Sequence, residues 1–223
     1  MHKKILVTGA TGLAGAEVVR QAILDGSIAE ITAIVRRPLA MTHPKLKTVL
    51  HSDYTDYQAL IRLFADHDAL IWCLGISQTQ VDKDEYIRIT YDYVLACAQA
   101  VAEANPALTF IFLSGMGADS KEKSRTLFAR IKGKAENALM ALPLPSLFIA
   151  RPGGIRPIHK KENAAFFEKI LIPTYPFFEF LLPFMMISSV DLAKAMLHMV
   201  KHGAPKRIME NMDLKRSLKV PAG

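Results

Sequence analysis

The sequence predicts a doubly wound α/β fold, a parallel sheet covered on both faces by helices, with a small C-terminal lobe. Three observations carry that expectation. Short apolar runs alternate with longer amphipathic stretches; the first run, Lys4-Ile5-Leu6-Val7-Thr8, breaks into three glycines spaced three apart, Gly9, Gly12 and Gly15; and 223 residues, 51% hydrophobic and 22% charged, suffice for one well-cored domain.

Strands are expected at residues 4–8, 30–35, 47–50, 69–74, 108–113 and 146–150, each a short apolar run. Helices are expected between them, at 13–25 stopped by Gly26, 57–64, 85–104 stopped near Asn105-Pro106, and 125–142 stopped at Pro143. Within the long middle helix Ile87, Tyr91, Val94, Ala98 and Val101 recur at three or four residues, a stripe that faces the core. After residue 150 the pattern changes to Arg151-Pro152-Gly153-Gly154, a basic loop, an apolar stretch over 170–187 broken by Pro173, Pro176 and Pro183, and a helix over 189–201 capped by Ser189. The prolines remove backbone donors that lipid cannot replace, so this stretch reads as a lid over an apolar pocket, with a membrane-surface or partner contact as the other reading, and not as a transmembrane segment. The end from Lys215 onward is expected to fray.

The formal charge is +7, but the basic residues are scattered and no aromatic-lined stripe emerges, which argues against nucleic acid and leaves a basic surface suited to anionic ligands. Cys73 and Cys97 make no disulfide framework, and Met1-His2-Lys3-Lys4 leads straight into the first strand without a signal peptide, so a reducing cytoplasm is expected. His198 and His202 stand four apart, but Lys201 lies between them and no third ligand is apparent, so no metal site is assigned.

A buried strand that turns through glycines into a helix is a site for a nucleotide diphosphate. Gly9 allows the tight turn, Gly12 lets backbone N–H groups approach the pyrophosphate, and Gly15 lets the helix sit against the strand, while Thr11 and Leu13 flank the helix start. The second strand ends about twenty residues beyond the glycines in Val35-Arg36-Arg37-Pro38, where an NAD site places a carboxylate for the ribose 2′-hydroxyl. A guanidinium there pairs instead with a 2′-phosphate, so NADP(H) is preferred over NAD(H).

The string Thr8-Gly9-Ala10-Thr11-Gly12-Leu13-Ala14-Gly15 resembles the glycine turn of the extended and atypical short-chain dehydrogenase/reductases, and further pieces match that family in order. Asp53-Tyr54 is similar to its adenine-contacting aspartate, Leu74-Gly75 to its ribose cover, Ser114 to its catalytic serine, Lys132-Gly133-Lys134-Ala135-Glu136 to the helix bearing its lysine, and Arg151-Pro152-Gly153 to the loop that flanks the nicotinamide. Glu85 to Arg88, Asp92 to Leu95 and Glu210-Asn211 are most similar to the Tat-interacting oxidoreductase-like branch. The resemblance implies a single Rossmann-like NAD(P)-binding domain over 1–223, with 151–223 supplying most of the substrate or partner lobe.

It also implies a tyrosine four residues before the lysine, which exchanges a proton with the substrate oxygen. This chain has Phe128 there. Two readings follow: an oxidoreductase acting on a small apolar carbonyl or quinone-like substrate, with Ser114 and Lys132 catalytic and the proton from Tyr91, Tyr93, Tyr175, a serine or water; or an NADP(H)-binding regulator whose cofactor state a protein partner reads. Neither substrate, partner nor oligomeric state is written in the sequence.

Overall fold

The computed structural model describes residues 2–159 and 184–219. Most of the proline-broken stretch, with Pro173, Tyr175, Pro176 and Pro183, lies outside them, so the lid expected there is not described. The elements run β1 (Lys3–Thr8), α1 (Leu13–Leu24), β2 (Ile28–Val35), β3 (Leu46–Leu50), a 3₁₀ turn (Gln58–Leu60) leading into α2 (Ile61–Ala65), β4 (Ala69–Trp72), α3 (Lys83–Ile87), a π-helical turn (Arg88–Asp92), α4 (Tyr93–Ala104), β5 (Thr109–Leu113), α5 (Leu127–Met140), β6 (Leu147–Arg151), β7 (Gly154–Arg156), β8 (Met186–Ser188), α6 (Ser189–His202), β9 (Ile208–Glu210) and α7 (Asn211–Ser217).

Seven strands form one sheet in the order β3-β2-β1-β4-β5-β6-β9, every neighbouring pair parallel, and β7 pairs with β8 in a small second ladder. The order reverses between β1 and β4, so the connections leave on opposite sides there and open a crevice at the carboxyl ends of the strands. Side chains alternate across the pleat. Ile5, Val7, Ile31, Ala33, Ile71 and Ile111 pack against α1 and α6, while Leu6, Ile34, Leu70, Trp72, Phe110 and Phe112 pack against α2, α4 and α5. Both faces are buried, which is why the strands read as continuous apolar runs.

Several boundaries differ from the sequence expectation for physical reasons. The expected 57–64 helix is a 3₁₀ turn followed by one short α-helical segment. The expected 85–104 helix is divided by the π turn, whose extra residue shifts the buried face by one position: Tyr86 ahead of it and Thr90 within it are buried where Ile87 and Tyr91 were expected, and Val94, Ala98 and Val101 are buried beyond it. The late helix is capped by Ser188, whose hydroxyl accepts from the Asp191 N–H at 2.9 Å; Ser189 instead accepts from the Ile158 N–H at 3.1 Å. Helix α7 opens on a capping box between Glu210 and Asp213, and its turns continue to Ser217, beyond the point where fraying was expected.

Helix α5 lies unusually close to the loop after β5. A Cβ on Gly133 would stand 1.9 Å from the Asp119 carbonyl oxygen, and the Asp119 N–H donates to the Ala129 carbonyl at 2.8 Å. Because the obstacle is backbone, Gly133→Ala must push helix and loop apart, at a cost of about 1–3 kcal/mol. A melting temperature lowered by about 3–10 °C is expected in a thermal scan, and an unchanged one would contradict this packing.

Candidate functional site

The crevice begins where β1 ends. Gly9 has φ +66°, and a Cβ there would stand 2.5 Å from the Cys73 carbonyl oxygen; a Cβ on Gly15 would stand 2.3 Å from the Gly9 carbonyl oxygen. Only glycine fits either place. The Gly12 N–H closes the turn on the Gly9 carbonyl at 2.8 Å, and the Thr8 hydroxyl accepts from the N–H groups of Cys73 and Leu74, pinning the end of β1 to the chain leaving β4. Helix α1 then starts with Gly12 as its cap, no side chain covering its first N–H groups and no acidic residue in its first turn. Those donors and the positive end of the helix dipole suit a pyrophosphate.

Beside this corner lies a cavity of about 310 Å³ lined by Gly9, Thr11, Ile34, Val35, Arg36, Arg37, Tyr54 and Leu74. It continues into a smaller one lined by Arg36, Ser52, Tyr54, Leu74, Gly75, Glu85 and Tyr93 among others. Arg36 faces both spaces. Tyr54 stacks on Tyr93 with centroids 5.6 Å apart, and burial pushes the Tyr54 phenol up to about 12 against the pull of the Arg36 guanidinium. Asp53, expected to meet adenine, is exposed, and its carboxylate accepts from the Thr55 N–H at 2.9 Å and hydroxyl at 2.5 Å. Its neighbours Ser52 and Tyr54 line the crevice.

At the other end, the structure brings Ser114 and Lys132 to the same buried region. Ser114 is 7% exposed, and its Oγ donates to Glu136 Oε1 at 2.5 Å. Lys132, 8% exposed, donates from Nζ to the Leu113 carbonyl at 3.0 Å and lies 4.8 Å from the Phe112 ring centre. Burial pushes the Lys132 ammonium down to about 8, against the opposing pull of Glu136 and Cys73. Phe128 sets the tip of its ring over Gly115, where a Cβ would lie 2.7 Å from its Cζ.

Arg151, which opens the Arg151-Pro152-Gly153 loop, turns inward: Nε and Nη2 bond the Glu136 carboxylate, Nη1 donates to Glu210 Oε1 at 3.0 Å and Nη2 to Ser120 Oγ at 2.9 Å. The Pro152 carbonyl accepts from the Met116 N–H at 2.8 Å, and the Gly153 N–H donates to Asn211 Oδ1 at 2.9 Å. Of the tyrosines considered as proton donors, Tyr93 belongs to the Arg36 end and Tyr91 lies under the Lys134 ammonium, 4.3 Å from its ring centre. Among the described residues no three His, Cys, Asp or Glu side chains gather as metal ligands, and no helix is long and apolar enough to cross a membrane.

A family model described as NAD(P)H-binding matches residues 9–202, from the glycine corner through α6. The chain belongs to the NAD(P)H-binding family. It is 28% identical over 155 residues to Protein HTATIP2 of Rattus norvegicus, covering 68% of this chain and 62% of that one. It is 29% identical over 151 residues to Protein FMP52-1, mitochondrial, of Scheffersomyces stipitis, covering 66% and 65%. The matched region therefore spans less than two thirds of either relative. Among solved structures, L-threonine dehydrogenase from Clostridium difficile superposes with a TM-score of 0.69 at 16% identity over 94% of this chain and 76% of that one. The Bordetella bronchiseptica enzyme WbmG in complex with NAD and UDP gives 0.68 at 15% identity over 94% and 72%. The chain shares its Rossmann-like α/β fold with both.

Glu136 was missed as a functional candidate, although it lies one helical turn beyond Lys132 on the same face of α5 and is fully buried. The i, i+4 spacing was a usable signal. An unfolded lysine keeps its proton to about 10.5 whereas folded Lys132 releases it near 8, so the burial penalty applies in full below pH 8 and is relieved as pH rises between those values. The stability of Lys132→Met relative to the unsubstituted chain should accordingly fall, by an amount on the order of 2 kcal/mol, as denaturation is followed from pH 7.5 to 10. A difference that stays flat with pH would contradict the assignment.

Proposed function

We propose that the chain binds NADP(H) in preference to NAD(H) and is an oxidoreductase acting on a small apolar carbonyl or quinone-like substrate. The observation that carries the cofactor reading is the single cavity in which the glycine corner, Arg36 and Arg37 face the same space. The first N–H groups of α1 would hold the pyrophosphate, the guanidinium of Arg36 the 2′-phosphate, and Tyr54, Leu74 and Gly75 the adenosine. The bound cofactor supplies or accepts a hydride. Ser114 and Lys132 stand at the far end to meet the reacting group, and Pro152 and Gly153 hold the loop beside them. Free Cys73 and Cys97 accord with a reducing compartment, the cytoplasm on this reading, whereas the name of the yeast relative places that protein in mitochondria.

A second reading rests on Phe128. The ring is kept over Gly115 but its hydroxyl is missing, which removes a proton donor worth about a hundred- to ten-thousand-fold in rate. On that reading the chain is a non-catalytic NADP(H)-binding sensor whose occupancy a protein partner reads.

Fluorescence titration should show NADPH binding about tenfold or more tighter than NADH, with the preference abolished in Arg36→Ala, since a charge-assisted pair is worth about 1.5–3 kcal/mol. Equal affinities would refute the preference. NADPH oxidation measured against quinones, aldehydes and ketones separates the two readings: turnover lost in Ser114→Ala identifies the enzyme, and turnover seen only in Phe128→Tyr identifies the sensor.

A further inference from the structure

Away from the nucleotide crevice, the last turns of α6 meet α1 and α7 across two adjoining spaces. One, of about 420 Å³, has Met199, Met209, Asp213 and Arg216 in its wall, and the other, of about 520 Å³, has Asp25, Lys194 and Lys201. His198 and His202 line both. The two residues stand one helical turn apart on α6, His198 half-buried and His202 exposed, with ring centres 4.7 Å apart. Neither ring makes a hydrogen bond or ion pair with a described residue, so their nitrogens are uncommitted there. Sequence alone set this pair aside because Lys201 lies between the two and no third ligand is apparent. The fold removes the first objection: the Lys201 ammonium is turned to α1, where it donates to Asp25 Oδ2 at 2.7 Å. The second objection defines the site. Asp213 lines the same space, but its Oδ2 is held by the Lys206 ammonium at 2.6 Å and by the Glu210 N–H at 2.9 Å, which leaves the two histidines as the protein ligands and water for the rest.

We propose that His198 and His202 chelate one divalent transition-metal ion of the zinc and copper class across the last turn of α6, at a site separate from the nucleotide crevice. Two imidazoles at i, i+4 lie on one face of a helix, the arrangement by which a helix offers two nitrogen ligands to one ion. An ion bonded to one nitrogen of each ring at about 2.0–2.1 Å needs those nitrogens about 3–3.5 Å apart, a span that rings with centres 4.7 Å apart reach by small rotations. Donation from neutral ring nitrogens carries the binding, which selects zinc or copper over magnesium and calcium, cations that take oxygen. Local charge does not forbid it. Lys194 and Arg216 line the two spaces, but Asp25, Asp213 and the negative end of the α6 dipole, at His202, stand against them. None of the residues lining the spaces around Arg36 lines either of these, so metal and nucleotide have no side chain to compete for.

The full chain, carrying ¹⁵N-labelled histidine, is titrated with zinc chloride in a slightly alkaline buffer that does not bind metals, and the ring nitrogens are followed by NMR. The signals of His198 and His202 should move together with one midpoint, at one ion per chain. Copper(II) sulfate should broaden the same two signals at lower concentration, and magnesium chloride should move neither. His198→Gln and His202→Gln should each weaken zinc binding about tenfold or more, because one imidazole is left where two acted in concert. Asp213→Asn should leave the midpoint unchanged. A response from one ring alone, different midpoints for the two, an equal response to magnesium, no weakening in either histidine substitution, or loss of binding in Asp213→Asn overturns the assignment. The paired response of the unsubstituted chain decides the question even where a substituted chain fails to fold.

Discussion

Backbone pressed against backbone at the first turn is the constraint on which the site depends. The Gly9 carbonyl lies where a side chain on Gly15 would stand, and the Cys73 carbonyl lies where one on Gly9 would stand, so β1, α1 and the chain after β4 converge without intervening side-chain atoms. That convergence aims the start of α1 at the crevice and leaves its first donors uncovered. A second close approach, Gly133 against Asp119, plays the same part at the other end by fixing α5 to the loop that follows Ser114. The two ends of the crevice are thus set by contacts that tolerate no extra carbon atom.

Charge is distributed along the crevice in a way that matches a long anionic ligand. Arg36 and Arg37 stand open to one end, while the guanidinium of Arg151 is turned inward and neutralised by Glu136 and Glu210. The first arrangement is available to a ligand and the second is structural, although both began as arginines next to a strand terminus. Burial decides between them: an arginine with a fully buried carboxylate within reach is drawn to it, because leaving that carboxylate alone costs several kcal/mol.

What could be read from the sequence was local. The glycine spacing and the apolar strands each express their meaning within a few residues, and the parallel sheet followed from the alternation of elements. What could not be read needed partners distant in the chain. Glu136 resembles any helical glutamate until Ser114 and Arg151, 22 and 15 residues away, close on it. Strands β7, β8 and β9 are three residues each, too short to show a period, and β9 is recognisable only by its pairing with β6. The π turn at Arg88–Asp92 defeats a regular 3.6-residue reading by design of its geometry, and Ser188 and Ser189 offer two equal caps that only the fold distinguishes. The bond from Asp53 to Thr55, two residues on, likewise shows only in the folded chain.

Glu210 and Asn211 have a bearing on how the molecule is made. Six of the seven strands of the main sheet have been synthesised once Arg151 is added, yet the guanidinium of Arg151 and the backbone of Gly153 receive partners in Glu210 and Asn211, which follow 59 and 58 residues later. Vectorial synthesis therefore completes the glycine corner first and the Arg151 network last. A nascent chain arrested between those points holds a nearly finished sheet around an unfinished charge network.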